Sequence, residues 1–273
     1  GDWLSAEVQT TDFSLTLFGP GVKASGLTIV QRVPLGVTLP PGADGKPGKP
    51  WRLPVDDLRL APFHLLASDY AEIALIAPLL QTLRTEAGAI RLHIQRPRSV
   101  FEPPAVSALA DSSDLAVGFY PDALALDVRL HSALLWEERN VCIANAKHPT
   151  IQGKLSLKQF AEAEHAALFY KPQGPGVVDT LLAQKGHTRK IAVQSPHFAS
   201  LPFLVAGTNL LATIPERLAR QFARQLHLQV LPAPLDLPAF RLTLLWHQRH
   251  HSDPAHQWLR HRLLQTAARL AAV

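Results

Sequence analysis

From Phe63 onward, short apolar runs alternate with stretches whose apolar residues recur at helical spacing, and this alternation constrains the fold more than any other feature. A strand-sized run followed by an amphipathic helix, repeated several times, is the pattern of an α/β domain. The run FHLLA at 63–67 reads as a buried strand that stops at Ser68-Asp69-Tyr70. Ile73, Leu75, Ile76, Leu79, Leu80 and Leu83 then mark one face of a helix reaching about Glu86. Further strands are expected at 90–95, 115–119, 166–170, 190–194 and 210–215, and helices at 177–185, 199–206, 216–225 and 254–270. One helix should end near Ala110, another should start at the cap Ser156, and a strand pair is expected around 228–231 and 241–246. The extended stretch 131–144 is too long for a strand confined to one small lobe.

The first 61 residues have another texture. Pro20, Pro34, Pro40, Pro41, Pro47 and Pro50, with the glycines around them, interrupt the chain too often for a long helix. An irregular Gly/Pro-rich segment is expected, with 40–50 as a linker. It offers no helix-turn-helix of the kind that seats a recognition helix in a major groove.

At 273 residues and 47% hydrophobic, the chain has material for one large or two smaller cores. The formal charge of +5 permits an acidic partner, but the basic residues are scattered rather than gathered in blocks. The single cysteine, Cys142, excludes an internal disulfide framework and favours a reducing compartment; in NVCIANA it reads as a small apolar residue rather than a nucleophile. No run reaches the roughly 18 apolar residues of a membrane helix. The opening GDWLSAEVQTTDF lacks the basic-then-apolar layout of a secretory signal, so a cytoplasmic location is expected.

Catalytic patterns are absent: there is no Gly-x-Ser-x-Gly elbow, no phosphate-cradling glycine loop and no His-Glu-x-x-His helix. Asp114, Asp122 and the pair Glu137-Glu138 are acids of a kind usually solvated or paired with an arginine such as Arg139. No catalytic residue and no cofactor is expected. Five histidines gather in WHQRHHSDPAHQWLRH: His247, His250, His251, His256 and His261. Zinc needs clustered neutral imidazoles, but no two of these form a His-x3-His pair with an acidic ligand in helical register. A structural role for these histidines is the stronger reading, and no metal ligand is assigned.

The segments FHLLASDYAEIALIAPLLQTLR, DLAVGFYPD, LLWEERNVCIANAKHPTI, QSPHFASLPFLVAGTNLLATIPERLA and LLWHQRHHSDPAHQWLRHRL, in that order, resemble the effector-binding domain of LysR-type transcriptional regulators. The resemblance is to the branch that includes NodD-like and nitroaromatic- or salicylate-responsive regulators. It implies a fold like type 2 periplasmic binding proteins, with two α/β lobes and a small aromatic or carboxylate effector in the cleft between them. Lobe one would take 62–142 and 240–273, lobe two 143–239, with 1–61 standing apart. It further implies a homo-oligomer. DNA is a partner of the intact family, but the winged helix-turn-helix that reads it is not recognisable here. The alternative is a stand-alone small-molecule-binding module without a DNA role.

Effector contacts are expected from Ser68, Asp69, Phe119, Gly174, Pro175, His197 and Phe198. Ser68 and the open N–H groups of the following turn suit an anionic or polar group, although Ser and Asp are also ordinary helix caps. In SPHF, His197 can donate to a carboxylate or phenolate while Phe198 supplies an apolar wall; the plainer alternative is a partly buried structural histidine. Relatives often carry a histidine where Pro175 stands, so one implied donor is missing. Ser68 and His197 are expected to face each other across the cleft.

Overall fold

The computed structural model describes residues 5–9, 13–18, 28–31, 52–54, 62–86, 90–120, 126–169 and 176–271. Four strands open the chain, β1 (Ser5–Gln9), β2 (Phe13–Phe18), β3 (Thr28–Gln31) and β4 (Arg52–Pro54), paired antiparallel in that order. The segment expected to be irregular is therefore a sheet where it is described. Pro20 to Pro50 fall between the strands. That leaves four short runs able to form ladders. The linker expected at 40–50 lies outside the described residues.

The first α/β unit starts at β5 (Phe63–Ala67). Ser68 caps α1 (Asp69–Ala71), its Oγ accepting the Ala71 N–H at 3.2 Å, so the helix starts before the expected Ile73. α1 runs through a π-helical turn (Glu72–Ile76) into α2 (Ala77–Glu86). Then come β6 (Leu92–Gln95), a second π-helical turn (Ala108–Ser112), β7 (Leu115–Phe119) and β8 (Leu130–Glu138). β9 (Asn140–Asn145), α3 (Leu157–Glu162), β10 (Glu164–Leu168), α4 (Val177–Gln184) and β11 (Lys190–Ser195) follow. α5 (Leu201–Ala206), β12 (Ala212–Pro215), α6 (Glu216–Ala223) and β13 (Leu228–Pro232) complete that half. β14 (Phe240–His247), a 3-10 turn (Gln248–His250) and α7 (Pro254–Ala271) end the chain.

These elements make two lobes. The first holds a five-stranded sheet in the order β6-β5-β7-β14-β8, with β5 parallel to β6 and β7, and β14 antiparallel to β7 and β8. The second holds the parallel pair β10-β11 and the antiparallel order β12-β9-β13, joined by a bridge from His165 to Leu211. β13 and β14, expected as a pair, lie in different sheets, because the proline-rich run between them carries the chain back to the first lobe. All five residues of β7 are buried, as a central strand covered on both faces requires. On α7, Ala255, Leu259, Leu263 and Ala267 repeat every four residues and are all buried against the sheet.

The long extended stretch divides at Arg139. There the β8–β14 ladder ends with Glu138 opposite Phe240, and the β9–β12 ladder begins with Asn140 opposite Pro215. The chain thus passes to the second sheet system at Asn140. It returns between β13 and β14.

Candidate functional site

Two parallel strand pairs, β5 with β6 and β10 with β11, end at one place. Ser68 and Asp69 follow β5, Arg96 to Val100 follow β6, Leu168 ends β10 with Phe169 just after it, and Pro196 follows β11. Sheets of this kind hold ligands outside the carboxyl ends of their strands, where successive connections leave in opposite directions. β5, flanked by β6 and β7, is such a point. A cleft of about 280 Å³ lies there, lined by Ser68, Asp69, Arg96, Pro97, Arg98, Ser99, Val100, Leu168, Phe169, Pro196 and Phe198. That is just below the volume of ordinary ligand pockets, roughly 300–1,000 Å³.

Two hydrogen bonds already span the cleft. The Asp69 carboxylate accepts the Ala199 N–H at 2.6 Å, and the Arg96 guanidinium donates to the Pro196 carbonyl at 2.8 Å. Ser99 Oγ accepts the N–H groups of Phe101 and Glu102, which folds the loop after β6 back on itself. Asp69 is thus committed across the lobes, while Arg98, exposed at the rim, makes no ion pair among the described residues. Two arginines against one engaged carboxylate leave the cleft cationic.

Beneath lies an aromatic floor. Tyr70 packs on Phe119 at 5.2 Å between ring centres, and Phe198 meets both, at 6.1 and 6.3 Å. Phe101 and Phe240 close on Phe119 from the other side, at 5.9 and 5.2 Å. Offset and edge-on pairs of this kind suit ring quadrupoles. They also leave Phe119 fully packed, below the cleft rather than on its wall.

Of the residues expected to contact an effector, Ser68, Asp69 and Phe198 line the cleft. His197 is exposed beside it; its N–H donates to Ser195 Oγ and its carbonyl accepts from Ser200 Oγ at 2.9 Å, while Pro196 and Phe198 on either side form the wall. Gly174 and Pro175 lie outside the described residues. Arg96 and Arg98 were missed, because QRPRS reads as a solvated loop. Their position just past the end of a parallel strand was the signal available.

A wider hollow of about 640 Å³ on the second lobe has polar walls that already serve each other. His148 Nε2 lies 3.0 Å from the Asn209 carbonyl, and Gln159 completes the capping box of α3 while donating to the Thr150 carbonyl. In the histidine-rich corner, Asp114, His250 and His256 bring one ligand atom each within 4.8 Å of the others. His256 Nε2 is 3.0 Å from Asp114 Oδ1, and the two imidazoles stack at 4.2 Å with 7° between planes. Lone pairs in parallel planes do not converge on one ion, so the trio reads as a hydrogen-bonded pair with a ring laid over it. Nearby, Arg260 lies 4.7 Å over Trp246 and donates to the carbonyls of His250 and His251; burial draws its pKa down to about 10, so it stays charged at neutral pH.

Cys142 is fully buried, and burial pushes its thiol up to about 12. Glu137 is exposed as expected. Glu138 is not: it is only 3% exposed, and its ion-pair partner is Arg217 rather than Arg139, which pairs with Glu216. The run of EER hid a change of side, because Glu138 points into the crossover.

Comparison with known proteins agrees with this architecture. The family model "LysR substrate binding domain" matches residues 59–268. The transcriptional activator NagR of a Ralstonia species is 32% identical over 200 residues, covering 72% of this chain and 64% of the relative. NahR of Pseudomonas putida is 32% identical over 199 residues, with the same coverage of 72% and 64%. Nodulation protein D of Rhizobium leguminosarum bv. trifolii is 31% identical over 209 residues, covering 76% and 64%. The chain thus spans about 64% of the length of these curated relatives. Among solved structures, the probable transcriptional regulator PA0477 of Pseudomonas aeruginosa matches with TM-score 0.67 at 31% identity, over 76% of this chain and 67% of that one. The regulatory domain of MexT from the same organism matches with TM-score 0.64 at 27% identity, over 76% and 98%. Over more than half of its length, this chain belongs to the LysR substrate binding domain family.

Proposed function

We propose that this chain is the effector-sensing part of a transcriptional regulator, and that a small planar anion, an aromatic carboxylate by preference, binds in the cleft between the lobes. The observation that carries this reading is the cationic cleft at the ends of two parallel strand pairs, with Arg96 and Arg98 at its rim and Phe198 on its wall. A carboxylate suits the guanidinium fork, which can donate two parallel hydrogen bonds, and a flat ring suits Phe198. Binding changes transcription only if the occupant prefers one arrangement of the lobes over another, for tight binding without that preference shifts nothing. DNA is proposed as a partner of the intact regulator, and a homo-oligomer is the assembly proposed to pass the change on. No catalytic role is assigned, and the proposed site of action is the cytoplasm.

Calorimetry with benzoate and 2-hydroxybenzoate tests the reading. Loss of one hydrogen bond to a charged group costs about 1.5–3 kcal/mol, roughly a tenfold to hundredfold loss of affinity. Arg98→Gln is expected to show that loss, whereas His197→Ala, outside the cleft wall, is expected to bind nearly as the parent does. Equal affinity of Arg98→Gln and the parent would place the anion elsewhere.

A further inference from the structure

At the first crossover a buried carboxylate is held by both lobes. Glu138 is the last residue of β8, immediately before Arg139, and it is only 3% exposed. From the first lobe, the Tyr70 hydroxyl donates to its Oε2, and the Trp136 indole N–H reaches the same oxygen and the Tyr70 hydroxyl, both at 3.2 Å. From the second lobe, Arg217 on α6 brings its Nε to 3.4 Å from Oε2. The same guanidinium lies 4.9 Å over the Trp136 ring and donates to the Leu270 carbonyl of α7 at 2.7 Å, so one side chain of lobe two meets lobe one at three points. Oε1 accepts the N–H of Arg139, where the backbone changes sheets.

Tyr70 connects this cluster to the cleft. It follows Ser68 and Asp69 directly, and its ring touches Phe198 and Phe119 in the floor. Burial, and then the Glu138 charge, raise its phenol well above the usual range, so it remains a donor. Rotating the lobes about Arg139 moves Arg217 relative to Trp136 and Tyr70, and a buried charge that loses one partner is strongly penalised. Such a cluster favours a few discrete arrangements over a continuum.

We propose that Glu138 is a hinge lock: held by Tyr70 and Trp136 of one lobe and Arg217 of the other, it sets the angle between the lobes, and an occupant of the cleft acts on it through Tyr70. The part concerning the occupant rests on the cleft reading above; the lock itself does not.

The test is the distribution of distances between spin labels on Thr85→Cys in α2 and Lys185→Cys at the end of α4, both exposed positions. Cys142, buried and held as a thiol, need not be replaced. In the unliganded protein, Glu138→Gln and Tyr70→Phe are expected to broaden and displace the distribution, while the control Glu137→Gln leaves it unchanged. With benzoate as probe, the parent is expected to shift to a new distance, and Glu138→Gln to bind benzoate without that shift. Distributions of Glu138→Gln and Tyr70→Phe that superpose on the parent would overturn the lock. If Glu138→Gln fails to fold, Tyr70→Phe and Arg217→Lys decide by the same comparison. If benzoate fails to bind the parent, the cleft reading loses its ligand class while the unliganded comparison still decides the hinge.

Discussion

Lowering the pH should weaken this protein through His165. The side chain sits in β10 with no exposure, its Nε2 is 2.7 Å from the Phe160 carbonyl, and its ring meets the Phe160 ring edge-on at 4.6 Å. Its Nδ1 is buried without a hydrogen-bond partner among the described residues, so a proton there would gain nothing to bind. Burial accordingly pulls its pKa from 6.5 down to about 4. The unfolded chain takes up a proton below 6.5 that the folded chain refuses until about 4. Stability is therefore fully present above 6.5 and is lost as pH falls through that window. At 1.36 kcal/mol per pKa unit the loss approaches about 3 kcal/mol, a large part of the roughly 5–15 kcal/mol that holds a domain together. Urea unfolding followed by tryptophan fluorescence between pH 7.5 and 4.5 measures it, with His165→Gln as comparison. Glutamine keeps a donor for the Phe160 carbonyl and does not titrate. The parent should lose about 3 kcal/mol more than the variant across the window. Parallel pH profiles would refute the reasoning, since other histidines contribute equally to both.

Gly118→Ala should destabilise by about 1–3 kcal/mol, because an added Cβ would lie 2.5 Å from the buried Tyr120 ring; unchanged urea midpoints would show that the ring yields freely. Cys142 should resist thiol reagents in the native protein and react once urea unfolds it; rapid native labelling would contradict its placement. Phe198→Ala should cost about 3–5 kcal/mol by opening the floor around Tyr70 and Phe119, and a loss under about 1 kcal/mol would mean the neighbours close over the space.

Legibility from sequence followed how sharply each element was bounded. β5 and β7 could be read to the residue because a polar turn stops each apolar run, and Ser156 announced α3 as its cap. The break at Arg139 was hidden, since two ladders in different sheets meet with no glycine or proline between them. Neither π-helical turn could be read, because a single wider turn alters the apolar spacing over too few residues to stand out. In the cleft, Ser68 and Phe198 carried a local signal, whereas Arg96 and Arg98 matter only because β6 ends beside β5. Glu138 was misjudged for the same reason: its partners Tyr70 and Arg217 are distant in sequence.

The position of β14 bears on how the chain comes off the ribosome. β14 separates β7 from β8 in the five-stranded sheet, and β8 pairs with no other strand among the described residues. Until residues 240–247 have emerged, β8 has nothing to pair with and the first lobe waits half-built. The second lobe needs only the contiguous span from β9 to β13, residues 140–232. During synthesis the lobe begun second is the one completed first, and the exposed edges of β7 and β8 are what a nascent-chain chaperone would have to shield meanwhile.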